Sequence, residues 1–111
     1  MPEHDPRIQA VMRALEAQPH LRTAQLAALV DLSPDHLERL FKKQLGASIS
    51  GYSIDLRLQK ARTLLRSTYR SVKEIRNEIG IPDASNFVRY FKERFGLSPS
   101  ACRKASDIGF D

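Results

Sequence analysis

The sequence contains one cysteine, Cys102, and five separated glycines, and these low counts exclude several classes of protein. A lone cysteine cannot form an intramolecular disulfide, which excludes a small secreted scaffold stabilised by disulfide bonds. The separated glycines do not form a glycine-rich phosphate loop. No apolar run approaches the roughly 18 residues of a membrane span, and the N-terminal MPEHDPRIQA does not resemble a signal peptide. We therefore expect a soluble cytoplasmic protein without a membrane partner.

Candidate catalytic and metal-binding residues are equally scarce. The three histidines, His4, His20 and His36, are scattered, and none pairs with a cysteine or carboxylate at the spacing of metal ligands. Cys102 lies in a short helical segment, and no basic site that would activate it as a nucleophile is evident, so we predict a small buried apolar residue. We expect neither an enzyme nor a metal or cofactor.

Positive charge is unevenly distributed along the 111 residues. The formal net charge is +5, and residues 33–70 carry eight Lys or Arg against three Asp or Glu. Residues 1–32 and 71–111 are close to neutral. A basic segment favours a polyanionic partner such as nucleic acid, although many basic proteins bind none. Charge alone leaves both interpretations open.

Apolar residues recur at helical spacing throughout, and no segment alternates like a β-strand. The pattern predicts an all-α fold of seven helices. The first carries Ile8 to Leu15 and ends before Pro19, and Thr23 is predicted to cap the second. Ser33 followed by Pro34 is a typical helix start.

The second half of the chain repeats this pattern after a longer helix. That helix is predicted over residues 48–67. A short helix then ends at Gly80, Asp83 caps the next one, and Ser98 with Pro99 begins the last. The tail SDIGFD has no helical pattern and is expected to be frayed.

Two ten-residue segments are similar at an offset of fifty. LERLFKKQLG, residues 37–46, aligns with FVRYFKERFG, residues 87–96. The alignment pairs basic with basic residues, apolar with apolar residues, and one terminal glycine with the other. In both copies the arginine and lysine lie opposite the apolar stripe, and a short turn precedes the helix. This arrangement favours a helix-turn-helix over a plain helical bundle, which stays the alternative.

We therefore predict one DNA-binding domain over residues 1–111, with a homeodomain-like tandem architecture. A first helix-turn-helix unit covers about 7–46, a linker helix about 48–67, and a second unit about 71–106.

Several motifs in combination resemble the DNA-binding domain of the arabinose-regulator (AraC/XylS) family of bacterial transcriptional regulators. They are LSPDHLERLFK, RLQKARTLL in the linker helix, and a closing segment that runs from Phe87 to Arg103. The similarity covers roughly residues 7–104. It implies that two recognition helices enter adjacent major-groove segments and so regulate transcription.

Carried over by position, the resemblance implies two sets of DNA-contacting residues. Base-reading residues in the first recognition helix are Asp35, His36, Glu38 and Arg39, and those in the second are Ala84, Ser85, Asn86, Val88 and Arg89. Phosphate contacts are expected from Ser33, Lys42, Lys43 and Lys92. The chemistry of the charged side chains agrees, because Arg binds guanine through O6 and N7, and Asp or Glu accepts from cytosine N4.

Three positions depart from the family pattern. Asp31 stands where the turn usually has glycine, and Asp tolerates a left-handed conformation moderately well. Arg76 replaces a small residue between two helices and is expected to extend to the edge of the unit or to a phosphate. Cys102 replaces an aromatic residue, with some loss of packing around the last helix. We therefore expect the first unit to be the better-formed reader.

The resemblance also suggests partners. Double-stranded DNA, as an operator or promoter, is the expected partner, and RNA polymerase is a further candidate. We expect a monomer, either a short family member or a C-terminal domain separated from an effector or dimerisation domain. The alternative function is a helical protein-interaction module with weak or lost DNA binding. RNA is least favoured, because no exposed aromatic residues are interleaved with basic ones.

Overall fold

The computed structural model describes residues 5–105, which form seven α-helices and, within that range, no β-strand. The helices are α1 (Pro6–Ala17), α2 (Thr23–Leu29), α3 (Pro34–Leu45), α4 (Ile49–Ser67), α5 (Val72–Ile79), α6 (Ala84–Phe95) and α7 (Pro99–Lys104). The predicted all-α fold of seven helices is confirmed. None of these helices is both long and apolar enough to cross a lipid bilayer. The tail SDIGFD, predicted to be frayed, lies outside the described residues.

Helix ends follow the local signals in the sequence. Ser33 accepts a hydrogen bond from the backbone N–H of His36 at the start of α3, and Asp83 does the same for Asn86 at the start of α6. Each side chain satisfies an N–H group that has no partner within the helix. Gly46 ends α3 with a φ of 76°, in the left-handed region that glycine adopts without steric cost.

The predicted cap of α2 is wrong by one residue. Thr23 is the first residue of the helix, and Arg22 occupies the capping position. The backbone N–H of Arg22 donates to the side chain of Gln25 at 2.8 Å. The Thr23 hydroxyl therefore does not cap α2 and instead donates to the Glu38 carboxylate on α3.

The chain divides into two compact units, Met1–Leu56 and Arg57–Asp111, with the boundary inside α4. In the first unit the apolar stripes of α1, α2 and α3 meet the start of α4. The fully or nearly fully buried residues of this core are Ile8, Val11, Leu15, Leu26, Ala27, Leu37, Phe41 and Ile49. The ring of Tyr52 packs edge-on against Phe41, with 5.5 Å between ring centroids.

The second unit has its own aromatic core. Phe87 and Phe91 on α6 are fully buried, and the Phe91 ring centroid lies 4.8 Å from that of Phe95. Apolar residues of α4, α5 and α7 surround them, including Leu65, Ile75, Ile79 and Cys102. Cys102 is 6% exposed, which confirms the prediction of a buried apolar residue.

Candidate nucleic-acid interface

In the first unit, a tight turn between α2 and α3 presents the start of α3. Asp31 in this turn has a φ of 61°, and among residues 5–105 it is the one non-glycine residue with a positive φ. The backbone N–H of Leu32 donates a hydrogen bond of 3.0 Å to the carbonyl oxygen of Ala27, and this bond closes the turn. The expectation that Asp31 adopts the left-handed conformation is confirmed.

Helix α3 has one buried and one exposed face. Leu37 and Phe41 are fully buried, because they face the core of the first unit. The exposed face carries five of the predicted contact residues: Asp35, His36, Arg39, Lys42 and Lys43. Within the described part of the chain, no carboxylate forms an ion pair with this group. A cluster of this kind can both donate to base edges and contact phosphates.

Glu38 differs from its neighbours on α3, because it is half-buried. Its Oε2 accepts a hydrogen bond of 3.1 Å from the Thr23 hydroxyl at the start of α2. Its Oε1 lies 3.5 Å from the backbone nitrogen of Ile49, the first residue of α4. The carboxylate is thus directed at two helices of its own unit, and its base-reading role stays a prediction.

Two predicted contact residues already have a structural function as well. The Ser33 hydroxyl accepts from His36 N at 3.1 Å, and Asp35 lies in the first turn of α3, where a negative charge is favourable to the helix dipole. These roles do not remove either side chain from the surface, since both residues are exposed.

In the second unit, the same arrangement recurs on α6. Phe87 and Phe91 are buried, whereas all the residues predicted to face DNA are exposed: Ala84, Ser85, Asn86, Val88, Arg89 and Lys92. The Asp83 cap places Ala84, Ser85 and Asn86 in the first turn of the helix. This face has fewer charged residues than that of α3.

Arg89 is held in place within its own helix. Its Nη2 donates to Oδ1 of Asn86 at 3.1 Å, and its guanidinium carbon lies 5.1 Å from the centroid of the Tyr90 ring. The stacking and the hydrogen bond restrict the long side chain before any ligand is bound. Asn86 and Arg89 therefore form a connected pair on the exposed face.

Arg76 donates from Nη1 to the carbonyl oxygen of Pro82, just before α6. This contact uses the long side chain to join α5 to the turn that leads into α6. Ile75 and Ile79, on either side of Arg76 in the sequence, are buried. Arg76 therefore links α5 to the turn before α6. The sequence had instead suggested that its side chain extends to the edge of the unit or to a phosphate.

Two groups of contacts in these units could not be predicted from the sequence. The pairing of Thr23 with Glu38 joins residues 15 positions apart, on helices whose packing the sequence pattern does not specify. In the second unit, the guanidinium carbons of Arg62 and Arg94 lie 4.8 and 4.9 Å from the Phe95 ring centroid. The sequence repeat aligns Phe95 with the apolar Leu45 but does not indicate the cationic neighbours of the Phe95 ring.

Comparison with known proteins identifies similar domains. A family described as a helix-turn-helix domain matches residues 26–105. The HTH-type transcriptional regulator GbdR of Pseudomonas aeruginosa is 33% identical over 108 residues, which cover 96% of this chain and 29% of GbdR. The arabinose operon regulatory protein of Salmonella typhimurium is 37% identical over 87 residues, which cover 78% of this chain and 31% of that protein.

A solved structure is similar over nearly its whole length. The crystal structure of a transcriptional regulator from Chromobacterium violaceum, described as AraC-type DNA-binding domain-containing, has a TM-score of 0.84 and 32% identity. The similarity covers 94% of this chain and 96% of that one. By contrast, the chain spans about 30% of the length of the two curated relatives above.

Proposed function

Because this chain belongs to the AraC-type helix-turn-helix family, we propose that it binds double-stranded DNA sequence-specifically and regulates transcription. Two helices carry the binding, α3 in the first unit and α6 in the second, each inserted into a major-groove segment. Catalysis has no part in this proposal, because the family and its similar proteins are transcriptional regulators rather than enzymes.

The observation that supports this function best is the division of α3 and α6 into two faces. Leu37 and Phe41 are buried on α3, and Phe87 and Phe91 are buried on α6. Apart from the half-buried Glu38, the predicted contact residues in the first two turns of both helices are exposed. A major groove about 12 Å wide admits such a helix, and the helix reads base edges with those exposed side chains.

The proposed contacts follow from the chemistry of the exposed side chains. Arg39 and Arg89 bind guanine in a bidentate manner through O6 and N7, and Asp35 accepts from cytosine N4. An acid near phosphates is repelled unless it finds such a donor, so Asp35 excludes unmatched sequences. His36, Ser85 and the Asn86 amide are further base readers, while Ala84 and Val88 offer apolar contact to a thymine methyl group.

Phosphate contacts orient the domain without selecting a sequence. We assign these to Lys42, Lys43 and Lys92, with the Ser33 hydroxyl beside them. The three lysines are exposed near the helix ends rather than in the first turns. If about six phosphates are neutralised in total, log K falls against log salt with a slope of about −5.

Further partners follow from transcription regulation itself. We propose RNA polymerase as a protein partner, a monomeric state for residues 1–111 by themselves, and the cytoplasm, where bacterial DNA is located. The longer relatives contain sequence beyond the matched region, so an effector-binding or dimerisation domain in the same polypeptide is part of this proposal.

A salt titration with a random-sequence duplex, followed by selection of bound sequences from a random DNA pool, tests the function. We expect salt-sensitive binding and an enriched motif with two half-sites. Absence of salt-sensitive binding would instead favour the alternative of a helical protein-interaction module. Salt-sensitive binding without any enriched motif would reject sequence specificity but retain DNA as the partner.

A further inference from the structure

The Glu38 carboxylate connects three helices of the first unit. It lies on α3, accepts from the Thr23 hydroxyl of α2 at 3.1 Å, and lies 3.5 Å from the first backbone nitrogen of α4 at Ile49. From this geometry we propose that Glu38 is a positioning residue, which sets the orientation of α3 and does not itself read a base. The inference rests on the proposed DNA-binding function.

Each bond made by the carboxylate has a physical reason. The N–H of Ile49 belongs to the first turn of α4, where backbone N–H groups have no partner within the helix. A negative charge at this end of a helix is also favoured by the helix dipole. The Thr23 hydroxyl donates to an ionised acceptor, which gives a stronger bond than a neutral one.

Among residues 57–105, the second unit has no equivalent bridge. Val88 stands at the corresponding position of the repeat, and its apolar side chain is 38% exposed. There, the connection before α6 is made instead by Arg76, which donates to the Pro82 carbonyl. The carboxylate bridge is therefore a property of the first unit and not of the repeated motif.

A base-reading role for Glu38 conflicts with this bridge. To reach a cytosine N4, the carboxylate would have to leave Thr23 and Ile49, and two donors in a half-buried location would lose their acceptor. Asp35, in contrast, is exposed one turn earlier on the same helix. The first unit therefore has one acidic base reader, Asp35, and one acidic positioning residue, Glu38.

Four variants separate the two roles of Glu38. Thr23→Val removes the donor hydroxyl but keeps the shape of the side chain, Glu38→Ala removes the acceptor, and a double variant combines them. Thr63→Val is the matched control, because the Thr63 hydroxyl donates to the Gln59 carbonyl within α4 at 3.2 Å. For each variant, the affinity for the selected motif and the base preference at every position are measured.

We expect Thr23→Val and Glu38→Ala each to weaken binding to the selected motif about two- to tenfold. The base preferences stay those of the wild type, the double variant binds no more weakly than Glu38→Ala, and Thr63→Val binds as the wild type does. A changed base preference at one position in Glu38→Ala, with unchanged binding by Thr23→Val, overturns the positioning role. So does an additive double variant, or a Glu38→Ala variant that binds like the wild type.

Hydrogen exchange of the Ile49 amide in the absence of DNA provides a separate measurement. Glu38→Ala is expected to accelerate this exchange, and Thr63→Val is expected to leave it unchanged. Failure of the wild type to bind DNA would reject the proposed function, whereas unchanged Ile49 exchange in Glu38→Ala would reject the bridge itself. The two failures are thus distinguishable.

Discussion

Arg103 on α7 donates a hydrogen bond of 3.1 Å from Nε to the carbonyl oxygen of Leu65, 38 residues earlier on α4. A second bond of the same length runs from Nη2 to the carbonyl of Thr68, just beyond the end of α4. The last carbonyl groups of a helix have no partner within it, and a cation is favourable at this end. The Arg103 side chain thus satisfies two carbonyl groups at the C-terminal end of α4 and links α7 to α4.

Replacing Arg103 by Ala is therefore expected to destabilise the second unit. Loss of two hydrogen bonds from a charged donor corresponds to about 2–4 kcal/mol. Urea unfolding measures the change, with Lys104→Ala as the neighbouring control, since Lys104 is exposed. Equal effects of the two substitutions would contradict a specific role for Arg103.

Arg39 and Lys42 are predicted to affect DNA binding in different ways. Arg39→Ala removes a bidentate contact to guanine, so we expect a loss of about 1–3 kcal/mol on the selected motif and relaxed preference at one base position. Lys42→Ala weakens binding to all sequences alike and lowers the salt slope by about 1. Competition assays with specific and random duplexes provide the measurement. Equal losses on both duplexes for Arg39→Ala would reject its base-reading role.

Asp31 and Gly46 both have a positive φ, 61° and 76°, which is less favourable for a residue with a Cβ atom than for glycine. Asp31→Gly is expected to relieve strain at Cβ, with a gain in stability of up to about 1 kcal/mol. Gly46→Ala is expected to lose about 1 kcal/mol, although no atom lies within 4 Å of the added Cβ, because the φ angle is unfavourable. Chemical denaturation of both variants is the measurement. A neutral Gly46→Ala substitution would show that open space, not φ, controls tolerance here.

Arg76→Ala tests whether this side chain serves the fold or the DNA. Because Arg76 donates to the Pro82 carbonyl, we expect a loss of about 1 kcal/mol in unfolding free energy. The salt slope of DNA binding is expected to stay the same. If the slope instead falls by about 1, Arg76 neutralises a phosphate.

The ion pair between Asp5 and Arg7 is expected to make the stability of the fold depend on pH in the acid range. Its carboxylate accepts from the Arg7 side chain and backbone N–H, which lowers the Asp5 pKa from 3.8 to about 2. A depressed carboxyl pKa contributes stability above the unfolded value, and this contribution is lost as the pH falls from about 4 to about 2. Asp5→Asn is expected to flatten the stability profile in that interval. Unfolding midpoints across the interval test this, and an unchanged slope in Asp5→Asn would assign the acid sensitivity to other groups.

Much of the fold follows from local signals that the sequence carries directly. Ser33, Asp83 and Ser98 cap the helices that they precede, and Gly46 and Gly96 end α3 and α6 with positive φ. These features depend on a few neighbouring residues, so their spacing is sufficient to predict them. The one displaced cap is at Thr23, which is the first residue of α2 and whose hydroxyl donates to Glu38.

The sequence by itself determined the seven helices, their buried faces and the exposed basic residues of α3 and α6, because each depends on periodicity within one helix. Only the tertiary structure decided how individual polar side chains are used. Glu38 and Arg39 are adjacent in the sequence, yet one carboxylate bridges α2 and α4 while the other side chain is exposed. That difference arises where three helices meet, and no pattern along a single helix encodes it.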